Sequence, residues 1–195
     1  MRTTVSALYD NSTDASNAVR ALTERGVRRD DISVVASDAA GEYAEYHGRD
    51  MPADDTLEGA ASGALIGGMG GLLIGLAAVA IPGIGPVIAA GPIATAIAGA
   101  GIGAATGGII GALVDLGVDE DQAGYYAEGV RRGGTLVTVR VDEYMVNEVA
   151  QILEDYDPVD LEGRVDRWRE EGWSRYDPNA EPYTVDQIRR DRVNY

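Results

Sequence analysis

A run of 56 residues without a charged side chain, from residue 59 to residue 114, constrains this chain more than any other feature. Glycine recurs at every fourth position of the run in two ladders. A four-residue spacing places the members of a ladder on one face of an α-helix, and a glycine face allows two helix backbones to pack closely. The residues that we predict to mediate helix packing and oligomerisation are Gly59, Gly63, Gly67, Gly71, Gly75, Gly99, Gly103, Gly107 and Gly111.

The run predicts a glycine-zipper helical hairpin with apolar arms at residues 59–81 and 93–114, joined by a turn rich in proline and glycine at residues 82–86. Arm one has 23 residues and would be about 34 Å long as a helix, which exceeds the roughly 30 Å hydrocarbon core of a bilayer. Two interpretations therefore stay open. The hairpin either inserts into membrane lipid or is buried in the core of a soluble homo-oligomer.

The positions of the basic residues also predict where in the cell the protein lies. Arg49, Arg131 and Arg132 flank the hairpin, and no basic residue lies at its tip. Because basic residues near apolar segments stay on the cytoplasmic side, we expect an inner-membrane protein with its acidic domain in the cytoplasm. A soluble cytoplasmic protein is the alternative.

Composition argues against several classes of function. The net charge of −16 disfavours nucleic acid as a partner, because phosphates require a basic surface. The chain has no cysteine, and no nucleophile, base and orienting group can be assembled from it. A dinucleotide-binding glycine loop follows a strand, and no strand is predicted before the glycines at residues 101–108. His47 lies in a polar connector. We therefore expect no enzymatic activity, cofactor, metal or small-molecule substrate.

The rest of the chain predicts two β-α-β halves. The first has a strand at residues 3–9, a helix to about Arg25 that Gly26 ends, and a strand at residues 31–37. The second has a strand at residues 135–141, a helix at about 143–156 and a short last strand at 158–161. Asp119 and Gln122 form a capping box for one more helix before the second half. This arrangement predicts an α+β, ferredoxin-like fold interrupted by the hairpin.

The chain is accordingly divided into five parts. They are a first β-α-β half at residues 1–38, a polar connector at 39–58, the hairpin at 59–118, a helix with the second half at 119–161, and a charged C-terminal tail at 162–195. Val165, Trp168 and Trp173 could dock a short helix in the tail. Residues 174–195 are expected to be mostly disordered or peripheral, because they are strongly charged.

Three stretches resemble one known family. They are Val5-Ser6-Ala7-Leu8-Tyr9-Asp10 with the helix and strand that follow, Ile81-Pro82-Gly83-Ile84-Gly85-Pro86, and residues 124–139, which begin Gly124-Tyr125-Tyr126. Together they resemble the bacterial heat-induced general stress protein family, over roughly residues 3–173. The resemblance implies a stress-response protein, often described as membrane-associated, in a family without defined catalytic or binding residues.

Three hypotheses about function follow. The first is a non-enzymatic general stress-response protein that self-associates through the glycine zipper and contacts membrane lipid. The second is a soluble protein that forms homo-oligomeric rings or filaments around a buried hairpin. The third, which has less support, is a ferredoxin-like domain that senses a small molecule.

Overall fold

The structure, a computed structural model, describes residues 1–39, 77–99 and 108–193. Within these residues the chain is α+β, with five strands and seven α-helices. Two short 3₁₀ turns, Arg29–Asp31 and Glu143–Met145, connect elements. The elements in chain order are β1 (Arg2–Tyr9), α1 (Ser12–Glu24), β2 (Ile32–Ser37), β3 (Ala77–Ile81), β4 (Gly85–Ala90), α2 (Pro92–Gly99), α3 (Gly108–Asp115), α4 (Glu120–Arg131), β5 (Thr135–Asp142), α5 (Val146–Glu154), α6 (Leu161–Glu170) and α7 (Val185–Val193).

All five strands belong to one antiparallel sheet in the order β1-β5-β2-β4-β3. β5 lies between β1 and β2 and pairs antiparallel with both, so β1 and β2 run parallel to each other. The side chains of β5 alternate between the two faces of the sheet, because successive residues of a strand point to opposite sides. Val137 and Val139 join one apolar cluster, and Leu136 joins the other.

Helices cover both faces of the sheet. α1 and α5 pack on one face, where Leu22 and Leu153 belong to the same buried cluster as the valines of β5. α2, α3 and α4 pack on the other face, around Ile93, Leu113 and Val130. The fold therefore has three layers, with the sheet in the middle.

The ends of α1 follow the sequence closely. The side chain of Asn11 accepts a hydrogen bond from the Asp14 N–H at the start of the helix. At the other end Gly26 has a φ of +88°, and the Val27 N–H donates to Leu22 O at 3.0 Å. This closure is a Schellman motif, and the prediction that Gly26 ends the helix is confirmed.

The predicted helical hairpin is wrong at its tip. Ala77–Ile81 and Gly85–Ala90 are strands that pair with each other, so the proline- and glycine-rich turn belongs to a β-hairpin. β4 also pairs with β2 and extends the sheet beyond it. The β-branched Ile81, Val87 and Ile88 are buried, and such side chains favour a pleated backbone. Arm one therefore does not continue as a helix to residue 81.

The second arm is not one helix either. It contains α2 and α3, and Gly108, the first residue of α3, has a φ of +29°, outside the right-handed helical region. Both helices bury isoleucines, such as Ile97 and Ile109, in the core beneath the sheet. The buried side chains of residues 81–97 and 109–113 thus form part of the chain's own core.

Two further predictions are wrong. The last strand expected at residues 158–161 is absent, and the Val159 N–H makes one hydrogen bond, 2.7 Å long, to Leu8 O at the outer edge of β1. Pro158 has no N–H to donate, and Asp160 caps α6 instead. The expected disorder of the tail is also wrong for residues 174–193, because they contain α7, and Ile188 is buried.

No helix in residues 1–39, 77–99 or 108–193 combines the length and the apolar character that crossing a membrane requires.

Candidate functional site

Most of the predicted packing glycines lie outside the described residues, namely the whole first ladder together with Gly103 and Gly107. Gly99 is the last residue of α2, whereas Gly111 lies within α3, so the two do not share one helical face. A Cβ built on Gly111 would meet no described atom within 4 Å. Gly111 is therefore not at a close contact with another described helix. His47 also lies outside the described residues.

The close glycine contacts of the described chain lie elsewhere. A Cβ on Gly129 in α4 would overlap Leu8 Cδ2 of β1, and one on Gly134 would lie 2.9 Å from Leu8 Cδ1. These two glycines bring the end of α4 against the sheet. Their role could not be predicted from the sequence, because they belong to no regular spacing.

The main polar feature of the described residues is a fully buried carboxylate, Glu128, near the end of α4. Arg131 Nη1 donates to both of its oxygens, at 3.1 and 3.3 Å. Arg132 Nε donates to Oε1 at 2.8 Å. The helix itself brings the three residues together, because positions i, i+3 and i+4 lie on one face. A buried charge is tolerated only with such pairing.

Both arginines reach beyond α4. Arg131 Nε donates to Gly83 O at 2.9 Å, and its Nη2 donates to Glu181 O at 2.8 Å. It thereby joins the β3–β4 turn to the tail. The Arg131 guanidinium also lies 4.7 Å from the centroid of the Tyr183 ring, a cation–π contact.

Arg132 joins two other parts of the tail. Its guanidinium lies 4.8 Å from the Trp168 ring of α6 and 5.3 Å from the Tyr183 ring. Its Nη1 is 3.3 Å from Asp191 of α7 and 3.4 Å from Glu171. We call Glu128, Arg131 and Arg132 together with these partners the arginine cluster.

Burial and charge shift two pKa values in the arginine cluster. Burial alone would lower the pKa of Arg132, but the hydrogen bond and the negative charge of Glu128 outweigh it and raise the pKa. Burial raises the pKa of Asp191 above 3.8; Arg132 opposes this shift, and Glu171 adds to it. Arg132 therefore stays charged, and the carboxyl of Asp191 binds a proton more readily than a solvated aspartate does.

The arginine cluster fits a structural role. A guanidinium does not release a proton in proteins, so neither arginine can act as an acid or a base. Within residues 1–39, 77–99 and 108–193, no group of three or more histidine, aspartate or glutamate side chains is placed to hold a metal ion. The cluster connects four parts of the chain, namely α4, the β3–β4 turn, α6 and residues 181–191.

One sequence signal could have found this cluster. A glutamate followed three and four residues later by two arginines is an ion-pair spacing on a helix, and Glu128, Arg131 and Arg132 have it. The same spacing is common on solvated helix faces, so it does not by itself indicate burial.

Comparison with known proteins identifies no relative: no protein-family model, no curated protein and no solved structure matches the chain.

Proposed function

We propose that the protein is a non-enzymatic general stress-response protein that self-associates through the glycine ladder at residues 59–75. The observation that carries the proposal is the four-residue glycine spacing in a segment without charge, because its physical use is close helix packing. The stress-response role rests on the resemblance over residues 3–173. The arginine cluster supports the non-enzymatic part, since its charged groups are engaged with one another and with the backbone.

The rest of the chain acts in this proposal as the body that carries the ladder. We assign the body a ferredoxin-like arrangement with the uncharged run inserted between β2 and β5. Its support is the placement of β5 between β1 and β2, with α1 and α5 on one face. Val159 lies beside the outer edge of β1, where the last strand of such a fold would pair.

The burial of side chains from residues 81–97 and 109–113 in the core limits the surface that self-association could use. Side chains such as Ile84, Ile93 and Leu113 are fully buried within the chain and are unavailable to another copy or to lipid. The interface is therefore assigned to the first ladder, with Gly67 and Gly71 at its centre.

The test is a matched pair of substitutions. Gly67→Leu puts a bulky side chain on the ladder face, and Ala61→Leu adds the same apolar bulk two positions from a ladder glycine, on the opposite helical face. We expect Gly67→Leu to weaken self-association about tenfold or more, equivalent to roughly 1.4 kcal/mol or above, and Ala61→Leu to leave it nearly unchanged. Light scattering across a dilution series measures the mass. Equal masses for Gly67→Leu and the parent chain would refute the proposal.

Membrane attachment is the second candidate, and the absence of charge in residues 59–76 favours it. Here the ladder contacts lipid, and the acidic domain faces the cytoplasm. Detergent-free fractionation separates the candidates. Recovery of one assembly of uniform mass in the high-speed supernatant supports the soluble form, a ring or filament, whereas recovery in the pellet that detergent releases supports the membrane form.

A ligand-sensing role has less support. A ferredoxin-like pair would hold a ligand on the sheet face opposite its two helices, and here α2, α3 and α4 pack against that face. A concentration-dependent rise in unfolding temperature with a small molecule would be needed to revive this hypothesis.

A further inference from the structure

The last part of the chain, which we call the tail segment (residues 176–193), crosses the β3–β4 turn and then the end of α4. Near its start the Tyr176 hydroxyl donates to Pro82 O at 2.6 Å. In its middle Glu181 O accepts from Arg131. Towards its end Asp191 pairs with Arg132 at 3.3 Å. The segment is thus held at points spread over its whole length.

Glycines make room for the tail segment on the surface beneath it. A Cβ on Gly83 would lie 2.8 Å from Asp177 O and 2.9 Å from Pro178 Cα, and a Cβ on Gly133 would overlap Ile188. A side chain at either position would push the segment away. The surface therefore accepts a peptide backbone at contact distance, as a peptide-docking site does.

Little apolar burial holds the segment in place. Among residues 176–191, Ile188 is the one buried side chain, and the rings of Tyr176 and Tyr183 are half-buried. Segments with few buried apolar contacts open at free energies well below that of global unfolding. Ser174 and Arg175, which connect the segment to the body, are exposed. The segment is therefore expected to detach from its surface at a lower free energy than the sheet unfolds.

We propose that this surface is a docking site for the tail segment of a second copy of the chain, so that neighbouring copies exchange tail segments. None of the contacts named above involves the connector, Ser174 and Arg175. The tail segment of another copy can therefore make the same contacts. In a single chain the resident segment has the advantage of an effective concentration in the millimolar range. In an assembly the segment of a neighbour is present at a comparable concentration.

The inference rests on the proposed self-association and gives it a second contact. Deletion of Ser174 and Arg175 tests it, because losing two residues shortens the connector by about 7 Å. The shortened chain cannot place its own segment without strain, whereas a neighbour's surface remains within reach. We make the deletion in the Gly67→Leu chain, in which the ladder contact is removed, and expect the mass from light scattering to double relative to the undeleted Gly67→Leu chain. Cleavage by trypsin at Arg189 and Arg190 should stay slow, because docking holds α7 in place.

Two controls show which contact forms the dimer. Ile188→Asp, added to the shortened chain, removes the apolar anchor and should abolish the dimer. Arg189→Asp introduces an aspartate at the neighbouring position, which is exposed, and should leave the mass doubled. A shortened Gly67→Leu chain that keeps the mass of the undeleted chain overturns the proposal, whether α7 is cut quickly or slowly. A dimer that survives Ile188→Asp also overturns it, since another surface would then hold the copies together.

The failure of this inference can be told from the failure of the proposed function. Because the ladder contact is removed in the Gly67→Leu background, doubling of the mass there reports tail exchange alone. Absence of doubling there overturns tail exchange and leaves ladder-driven assembly intact. An unchanged mass for the full-length Gly67→Leu chain overturns ladder-driven assembly instead.

Discussion

Replacing Glu128 by glutamine is the most direct test of the arginine cluster. Glutamine keeps the shape of the side chain and removes its charge. It also replaces one of the two oxygens that accept from the guanidinium groups by an amide nitrogen, which donates. The change disrupts the contacts at 2.8, 3.1 and 3.3 Å to Arg132 and Arg131. Breaking a buried ion pair costs about 3–5 kcal/mol, because the remaining charge is uncompensated. Arg132 keeps Glu171 and Asp191, so we expect a value near the lower end, about 3 kcal/mol.

The assay is equilibrium unfolding in urea, followed by tryptophan fluorescence, with the slope against urea required to stay constant. Glu148→Gln is the matched control. Glu148 pairs with Arg25 at 2.8 Å, but their side chains are 50% and 65% exposed, and such surface pairs contribute about 0.2–1 kcal/mol. If Glu128→Gln destabilises the chain no more than Glu148→Gln does, the arginine cluster is not the internal connection that its geometry indicates.

Two other predictions concern α4. Gly129→Ala should destabilise the fold by about 1–3 kcal/mol, since its Cβ would overlap Leu8, whereas Gly124→Ala, with nothing within 4 Å, should stabilise it by about 0.5–1 kcal/mol; urea unfolding of both variants checks this, and equal effects would contradict it. Burial raises the pKa of Tyr126 to about 12, so its stabilising effect is complete below pH 10 and is lost as the pH rises through 12. Between about pH 8 and pH 11 the parent chain should lose roughly 1–2 kcal/mol more unfolding free energy than Tyr126→Phe, and parallel losses would contradict the assignment.

Several elements could be predicted from the sequence because local signals agreed. Strand alternation located β1, β2 and β5, and the capping residue Asp119 fixed the start of α4. Its carboxylate accepts from the Asp121 and Gln122 N–H groups, as the predicted cap requires. Where pattern, cap and turn residue agree, local sequence is enough to place an element.

The uncharged run could not be predicted in the same way. In residues 77–90 apolar residues follow one another without a polar face, and such a run fits a buried strand as well as a buried helix. What decides between them is the exposed edge of β2, which offers hydrogen bonds to β4. That edge exists only in the folded sheet.

The candidate site was missed for a related reason. Its arginines come from a helix end that would be solvated if the tail were absent. Trp168 and Tyr183 cover Arg132, and both lie in a stretch that composition describes as a charged tail. A few aromatic side chains are enough to order that stretch. Their effect does not show in the average composition of the stretch, which is dominated by charged residues.

The central position of β5 has a consequence for synthesis of the chain. Leu8 pairs with Leu136, and Val35 also pairs with Leu136, so β1 has no described neighbour, and β2 has only β4, until more than two thirds of the chain has left the ribosome. The uncharged run is made before that point. The apolar side chains of α2 and α3 that pack on the sheet therefore remain partly uncovered until β5 completes it. The time during synthesis in which this protein can aggregate depends on the order of its strands as much as on its composition.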